Sequence, residues 1–205
     1  MCFHSKQSKD AQAVEKRFKA KIEKVELFQS VEHYNGFSYP KTPVIIDKAQ
    51  EIIKHFQWGL IPSWSKDCTI QKFTLNAKIE TLAEKPSFKN SINKRCLIIA
   101  DGFYEWQWLD KSGKQKQKYM ITKPDNELFA FAGIYSDWID KATGEIINSY
   151  SILTTEANSL MSEIHNTQKR MPVILKTEDE FNYLNGANIN EFGFPYEVEL
   201  ICEKS

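Results

Sequence analysis

Between residues 95 and 155 the chain repeats one pattern: a short apolar and aromatic run, then residues that turn it. Arg95–Ala100, Gly102–Leu109, Lys118–Thr122, Leu128–Asp137 and Ser149–Thr155 read as strands. Asp110-Lys-Ser-Gly113 and Asp140-Lys-Ala-Thr-Gly144 read as hairpin turns between them. There is no strict strand–helix–strand alternation. The pattern predicts one α+β domain over 1–205, built on a mainly antiparallel, curved or barrel-like sheet with flanking helices. Thirteen Phe, eight Tyr and five Trp suit such a core, and they also supply flat faces on which bases could stack.

The flanking elements follow from periodicity. Val14, Phe18, Ile22 and Val25 recur at helical spacing behind Asp10, which predicts a helix over 10–28. Residues 29–43, with Asn35-Gly36, Pro40 and Pro43, read as a loop. Val44–Asp47 and Ile52–Leu60 read as strands, and 74–85 as a helix that stops before Pro86. Further on, 156–164 and 178–184 read as short helices. Met171–Leu175 and Tyr196–Cys202 read as strands.

Charge narrows the partners. Lys plus Arg and Asp plus Glu both number 27, so a protein that coats DNA through a large positive charge is excluded, whereas a local basic groove is not. Residues 1–100 hold 17 basic and 10 acidic side chains, and residues 101–205 hold 10 and 17. The plain reading of that asymmetry is internal balance within one folded unit. Cys2, Cys68, Cys96 and Cys202 form no CxxC and share no zinc spacing with His4, His33, His55 and His165, so neither a metal nor a cofactor is expected. No apolar run approaches the ~18 residues that span a bilayer, and the first residues lack the apolar middle of a secretory signal. A soluble, cytoplasmic monomer is expected.

Five segments carry chemistry. Cys2 follows the initiator Met. If Met1 is removed, an α-amine and a thiol stand on adjacent carbons, both partly reactive near neutral pH. The amine can form a Schiff base with an aldehyde, and the thiol can close on the imine as a thiazolidine. Asn76 opens NAKIETLAE. It is either a helix cap or an amide that holds an amine or carbonyl, with Lys78 beside it for a phosphate. In DGFYEW, Glu105 between Tyr104 and Trp106 either faces water or sits in an apolar wall that raises its pKa. In HNTQKRMP, His165 can shuttle protons and Lys169 and Arg170 can bind phosphate oxygens; the plainer reading is a polar loop. In WGLIPSW, Trp58 and Trp64 are stacking surfaces or core anchors, and at least one is expected to be structural.

Taken together, MC at the terminus, WGLIPSW, NAKIETLAEKPSF, ADGFYEW and the His…RMPVIL segment resemble the SOS response-associated peptidase (SRAP) family. The resemblance spans most of the chain. It implies a sensor of abasic sites in single-stranded DNA that forms a thiazolidine crosslink through Cys2 after autocatalytic loss of Met1. It further implies that Asn76 orients the terminal amine or sugar, that Glu105 moves protons at the amine, and that His165 assists sugar-ring opening. β-Elimination is implied as a side activity. Lys41, Lys78, Lys169 and Arg170 are then the expected phosphate contacts, with Trp58 or Trp64 and Trp106 facing bases. Three departures stand out: Phe3-His4 where the family often has Gly-Arg, Asn76-Ala77-Lys78 for Asn-Ala-Arg, and three extra residues between His165 and Arg170. Two other classes stay open, an N-terminal-nucleophile hydrolase of small amides and a noncovalent single-strand binding module. A general peptidase has no separate catalytic arrangement here to support it.

Overall fold

The computed structural model describes residues 2–205. In chain order the elements are β1 (His4–Gln7), α1 (Ala11–Phe18), β2 (Lys21–Ile22), β3 (Val31–Asn35), β4 (Lys41–Ile46), β5 (Ala49–Trp58), β6 (Asn76–Lys78) and β7 (Arg95–Ala100). They continue with β8 (Gly102–Trp108), β9 (Lys116–Thr122), β10 (Phe129–Ile139), β11 (Ile146–Glu156), α2 (Ser159–Ile164), β12 (Arg170–Pro172), β13 (Ile174–Leu175), α3 (Glu180–Leu184) and β14 (Ile201–Lys204).

Strand alternation explains the architecture. β7 is buried along its whole length, yet its residues divide between two apolar clusters. Cys96, Ile98 and Ala100 join one, and Leu97 and Ile99 join the other. β4 divides in the same way, Val44 and Ile46 against Ile45. Strands buried on both faces must be covered on both sides. The inner cover comes from curvature. β5, β4, β7, β10 and β11 pair in sequence, and β11 returns to β5 through the parallel pairs Ser149–Gln57 and Tyr150–Trp58, closing a five-strand ring. Gly133 permits the tight wall: a Cβ there would meet Ile98 Cδ1 at 2.2 Å and the Ser151 carbonyl at 2.9 Å. The outer cover comes from α1, α3 and the turns that supply Val14, Leu82, Tyr183 and Leu184. A second, wholly antiparallel sheet, β14-β9-β8-β1-β3, adds Phe103 and Ile121 to the inner cluster, which also holds Cys2.

The α+β, barrel-like expectation holds, but several elements differ; β1 was not expected, and the strand expected over Met171–Leu175 is two, β12 on β11 and β13 on β10. The helix expected over 10–28 ends at Phe18, where Lys19 turns left-handed (φ 52°). Ile22 then lies on β2, paired in parallel with Ile53. The Glu15 carboxylate accepts from the Ile22 N–H at 3.0 Å and holds that exit. The helix expected over 74–85 is absent: 76–78 pair in parallel with 152–154 as β6, and a short 3-10 turn follows at Ile79–Thr81. The loop expected over 29–43 contains β3, which β1 recruits. The last strand is 201–204, not 196–202; Val198 and Leu200 pack on the inner cluster without pairing.

Candidate functional site

Cys2 is fully buried, and its Sγ contacts the His4 carbonyl at 3.7 Å. Burial, and then the charge of Glu105, push its thiol far above the ordinary range, so the sulfur is protonated at neutral pH. The Asn76 Nδ2–H donates to the Cys2 carbonyl at 2.9 Å. Asn76 projects from β6, with buried Leu75 and Ala77 on either side. Its Oδ1 is buried and has no partner among the described residues.

Glu105 sits on β8, buried beyond Phe103, and burial raises its carboxyl pKa. Glu105 is buried rather than facing water, but not between its flanking rings: Tyr104 and Trp106 pack against His33 and His4 on the other face of the strand, and Glu105 shares the face of Phe103. His165 ends α2. Its Nδ1 accepts from the Arg170 N–H at 3.1 Å, so the neutral ring carries its proton on Nε2. Burial lowers its pKa to about 4, which keeps the ring neutral at neutral pH. The inner apolar cluster contains Cys2, Leu75, Phe103 and Ile164, that is, Cys2 itself and near chain neighbours of the other three.

The three extra residues after His165 form a closed turn. Lys169 N–H donates to the His165 carbonyl at 2.9 Å, with Lys169 left-handed at φ 49°. Asn166 takes both main-chain groups of Trp108, at 3.2 and 2.9 Å, and Gln107 donates to the Glu163 carbonyl at 3.1 Å. These bonds fasten the turn to the strand that carries Glu105. Sequence reasoning did not anticipate Asn166, because an Asn in a polar loop gives no sign of what it will bond.

The expected DNA contacts separate into two groups. Lys41, Lys78 and Lys169 are exposed, Trp64 is 52% exposed, and Trp106 is half-buried with its ring 4.6 Å from that of His4. Trp58 is 0% exposed and cannot face a base. It stacks on Tyr150, and its indole N–H donates to the Leu75 carbonyl at 2.9 Å, one residue before Asn76. That is a correction: Trp58 supports the site from behind. Arg170 is half-buried and paired with the exposed Glu80 through both carboxylate oxygens, at 2.9 and 2.8 Å, and with the Thr154 carbonyl at 2.7 Å, so a phosphate would compete with Glu80 for it. A groove of about 350 Å³ beside Arg17, Phe18 and Phe181 shares none of these residues. No group of metal-ligating side chains occurs among the described residues, and none of their helices is long and apolar enough to cross a membrane.

Fold and site together define a class of protein: a small closed barrel with a buried cysteine near its amino terminus, tied to an amide and reached by the charge of a buried carboxyl. The family is that of the SOS response associated peptidases (SRAP), whose profile matches residues 1–197, and the chain belongs to it. It is 44% identical over 146 residues to "Abasic site processing protein YoqW" of Bacillus subtilis, covering 71% of this chain and 62% of that one. It is 33% identical to "Abasic site processing protein HMCES" of Pongo abelii, over 71% of this chain and 51% of that protein. The chain thus spans between half and two thirds of these relatives. A crystal structure of a Bacteroides thetaiotaomicron protein superposes with a TM-score of 0.89 at 36% identity, covering 99% of this chain and 91% of that one. One from Bordetella bronchiseptica gives 0.83 at 25%, covering 100% and 99%.

Proposed function

We propose that this protein captures abasic sites in single-stranded DNA as a covalent thiazolidine on Cys2, after removing its own Met1. Met1 lies outside the described residues, so its loss rests on the family resemblance and on the chemistry. The observation that carries the reading is the Asn76–Cys2 bond, which fixes the reactive residue beside a buried carboxyl whose charge reaches its thiol.

The steps balance without a redox partner. The Cys2 amine adds to the aldehyde carbon of the opened sugar and forms a C–N bond; loss of water leaves the imine. The sulfur then adds to the imine carbon, and the thiol proton ends on the ring nitrogen. One water is lost overall. A protonated thiol needs a base at the closing step, and Glu105 is the carboxylate within electrostatic reach. Neutral His165, with its proton on Nε2, is suited to donate to the sugar ring oxygen as the ring opens. The buried Asn76 Oδ1 is an acceptor for the amine or a sugar hydroxyl. The peptidase step is confined to the protein's own terminus, and the protein works as a cytoplasmic monomer where DNA is single-stranded.

The test is a denaturing gel. Protein mixed with a single-stranded oligonucleotide bearing one abasic site should give a complex stable to heat and detergent, and Cys2→Ala should abolish it. An equally stable adduct from Cys2→Ala would sink the reading. Salt-sensitive binding alone, unchanged by Cys2→Ala, would favour the noncovalent module instead.

A further inference from the structure

We propose that His4 and His33 form a proton-coupled phosphate site beside Cys2, in which the pair takes up one proton as a backbone phosphate of the bound DNA strand arrives. The inference rests on the DNA reading above.

The pair is held by two strands. His4 on β1 and His33 on β3 approach at 2.8 Å, Nδ1 to Nε2, across an antiparallel pairing, with ring centroids 4.9 Å apart. They lie on the outer face of the five-stranded sheet, where His33 is exposed and His4 half-buried. β8 supplies Trp106 against His4 at 4.6 Å and Tyr104 against His33 at 4.9 Å. β9 supplies Lys118, whose ammonium lies 4.0 Å from the Tyr104 ring centroid. On β1 and β3 themselves, Lys6 and Glu32 pair with each other at 3.3 Å.

Proton counting gives the device. A 2.8 Å contact between ring nitrogens needs one hydrogen between them. When both rings are neutral, the outer nitrogens (His4 Nε2 and His33 Nδ1) are one donor and one acceptor, whichever way the bridge is polarised. Adding one proton converts the acceptor to a donor and leaves the bridge intact. The pair then offers two outward N–H groups and a full positive charge, which suits an anionic phosphate. Without a ligand that proton is resisted. Burial, then His33, then Lys118 lower the His4 pKa to about 4, and burial and Lys118 also lower that of His33. A phosphate offsets the Lys118 repulsion, so binding and protonation favour each other. His4 is two residues from Cys2, within about 7 Å along an extended chain, so the phosphate held would lie close to the captured sugar.

The test uses oligothymidylate without an abasic site, which binds but cannot crosslink. Calorimetry in buffers of different ionisation enthalpy counts protons exchanged on binding. Wild-type protein should take up a fraction of a proton that grows as the pH falls below neutral, with affinity rising by up to about tenfold per pH unit as it does so. His33→Gln, which keeps one titratable ring but loses the shared bridge and the second outward N–H, should take up less and show a flattened pH dependence. Lys118→Gln, which keeps both rings, should move the coupled range to higher pH. Binding without proton uptake, or the same uptake in His33→Gln, overturns the site and leaves the DNA reading standing. Failure to bind the oligonucleotide at any pH removes both.

Discussion

Asn76 Nδ2 donates to the carbonyl of Cys2 at 2.9 Å across 74 residues of sequence, and this bond fixes where Cys2 sits. Asn76→Ala removes the donor and leaves a buried carbonyl unmatched, at about 1–3 kcal/mol. If that falls on the reactive geometry, crosslinking to abasic DNA should slow by about tenfold or more. Asn76→Asp should be worse than Ala, because it sets a carboxylate oxygen against the carbonyl. A gel time course ranks the three proteins; an Asp variant as fast as wild type would show that the bond does not position Cys2.

Glu105 sets an acid limit. Burial raises its pKa, and in the mechanism proposed above the charged carboxylate is the form that takes the thiol proton. The crosslinking rate should therefore fall on acidification at a midpoint above the ordinary glutamate value of about 4.3. His165 titrates lower, near 4, and does not set that limb. Glu105→Gln should lower the plateau and abolish the limb. A profile of unchanged shape in Glu105→Gln would remove the carboxyl from the proton path.

The two tryptophans of WGLIPSW should part company. Trp58→Phe deletes the N–H that serves the Leu75 carbonyl and thins the barrel core. It should cost about 1–3 kcal/mol, a fall in Tm on the order of 5 °C for a chain of this size, and should slow crosslinking through Asn76. Trp64→Ala, at an exposed ring held by one 3.2 Å bond to Pro86, should leave Tm nearly unchanged. If Trp64 stacks on a base, its loss should weaken oligonucleotide binding by about 1–3 kcal/mol. Thermal melts and binding titrations on both variants make the comparison.

How much of this was readable in the sequence depends on where each signal resided. The strands between 95 and 155 were legible because their partners are close in the chain and their turns carry Asp and Gly. Cys2, Asn76, Glu105 and His165 were singled out through a family resemblance, not through periodicity. β6 was misread, although Leu75, Ala77 and Ile79 alternate with Asn76 and Lys78 at the period of a strand and are buried in that pattern. Good helix formers after it obscured the alternation, and its partner β11 is some 76 positions away. Ile22 continues a helical stripe on paper, but pairing with Ile53 overrides it. Trp58 and Arg170 could not be assigned outward or inward from sequence, because their partners, the Leu75 carbonyl and Glu80, are set by tertiary structure.

Lys169 allows a structural role to be separated from a DNA contact at one position. Its backbone is left-handed, φ 49°, a conformation that costs a lysine roughly 1 kcal/mol and glycine almost nothing. The turn it makes brings the Arg170 N–H to His165 Nδ1. Lys169→Gly should therefore hold or raise Tm and keep the crosslinking rate at saturating DNA. Lys169→Val, β-branched and ill-suited to positive φ, should lower both. If the exposed ammonium also meets a phosphate, Lys169→Gly should weaken oligonucleotide binding at low salt and reduce the slope of log affinity against log salt by about one. An unchanged slope with a raised Tm would assign Lys169 to the turn alone, and a collapse of crosslinking in the glycine variant would show that the lysine side chain itself serves the reaction.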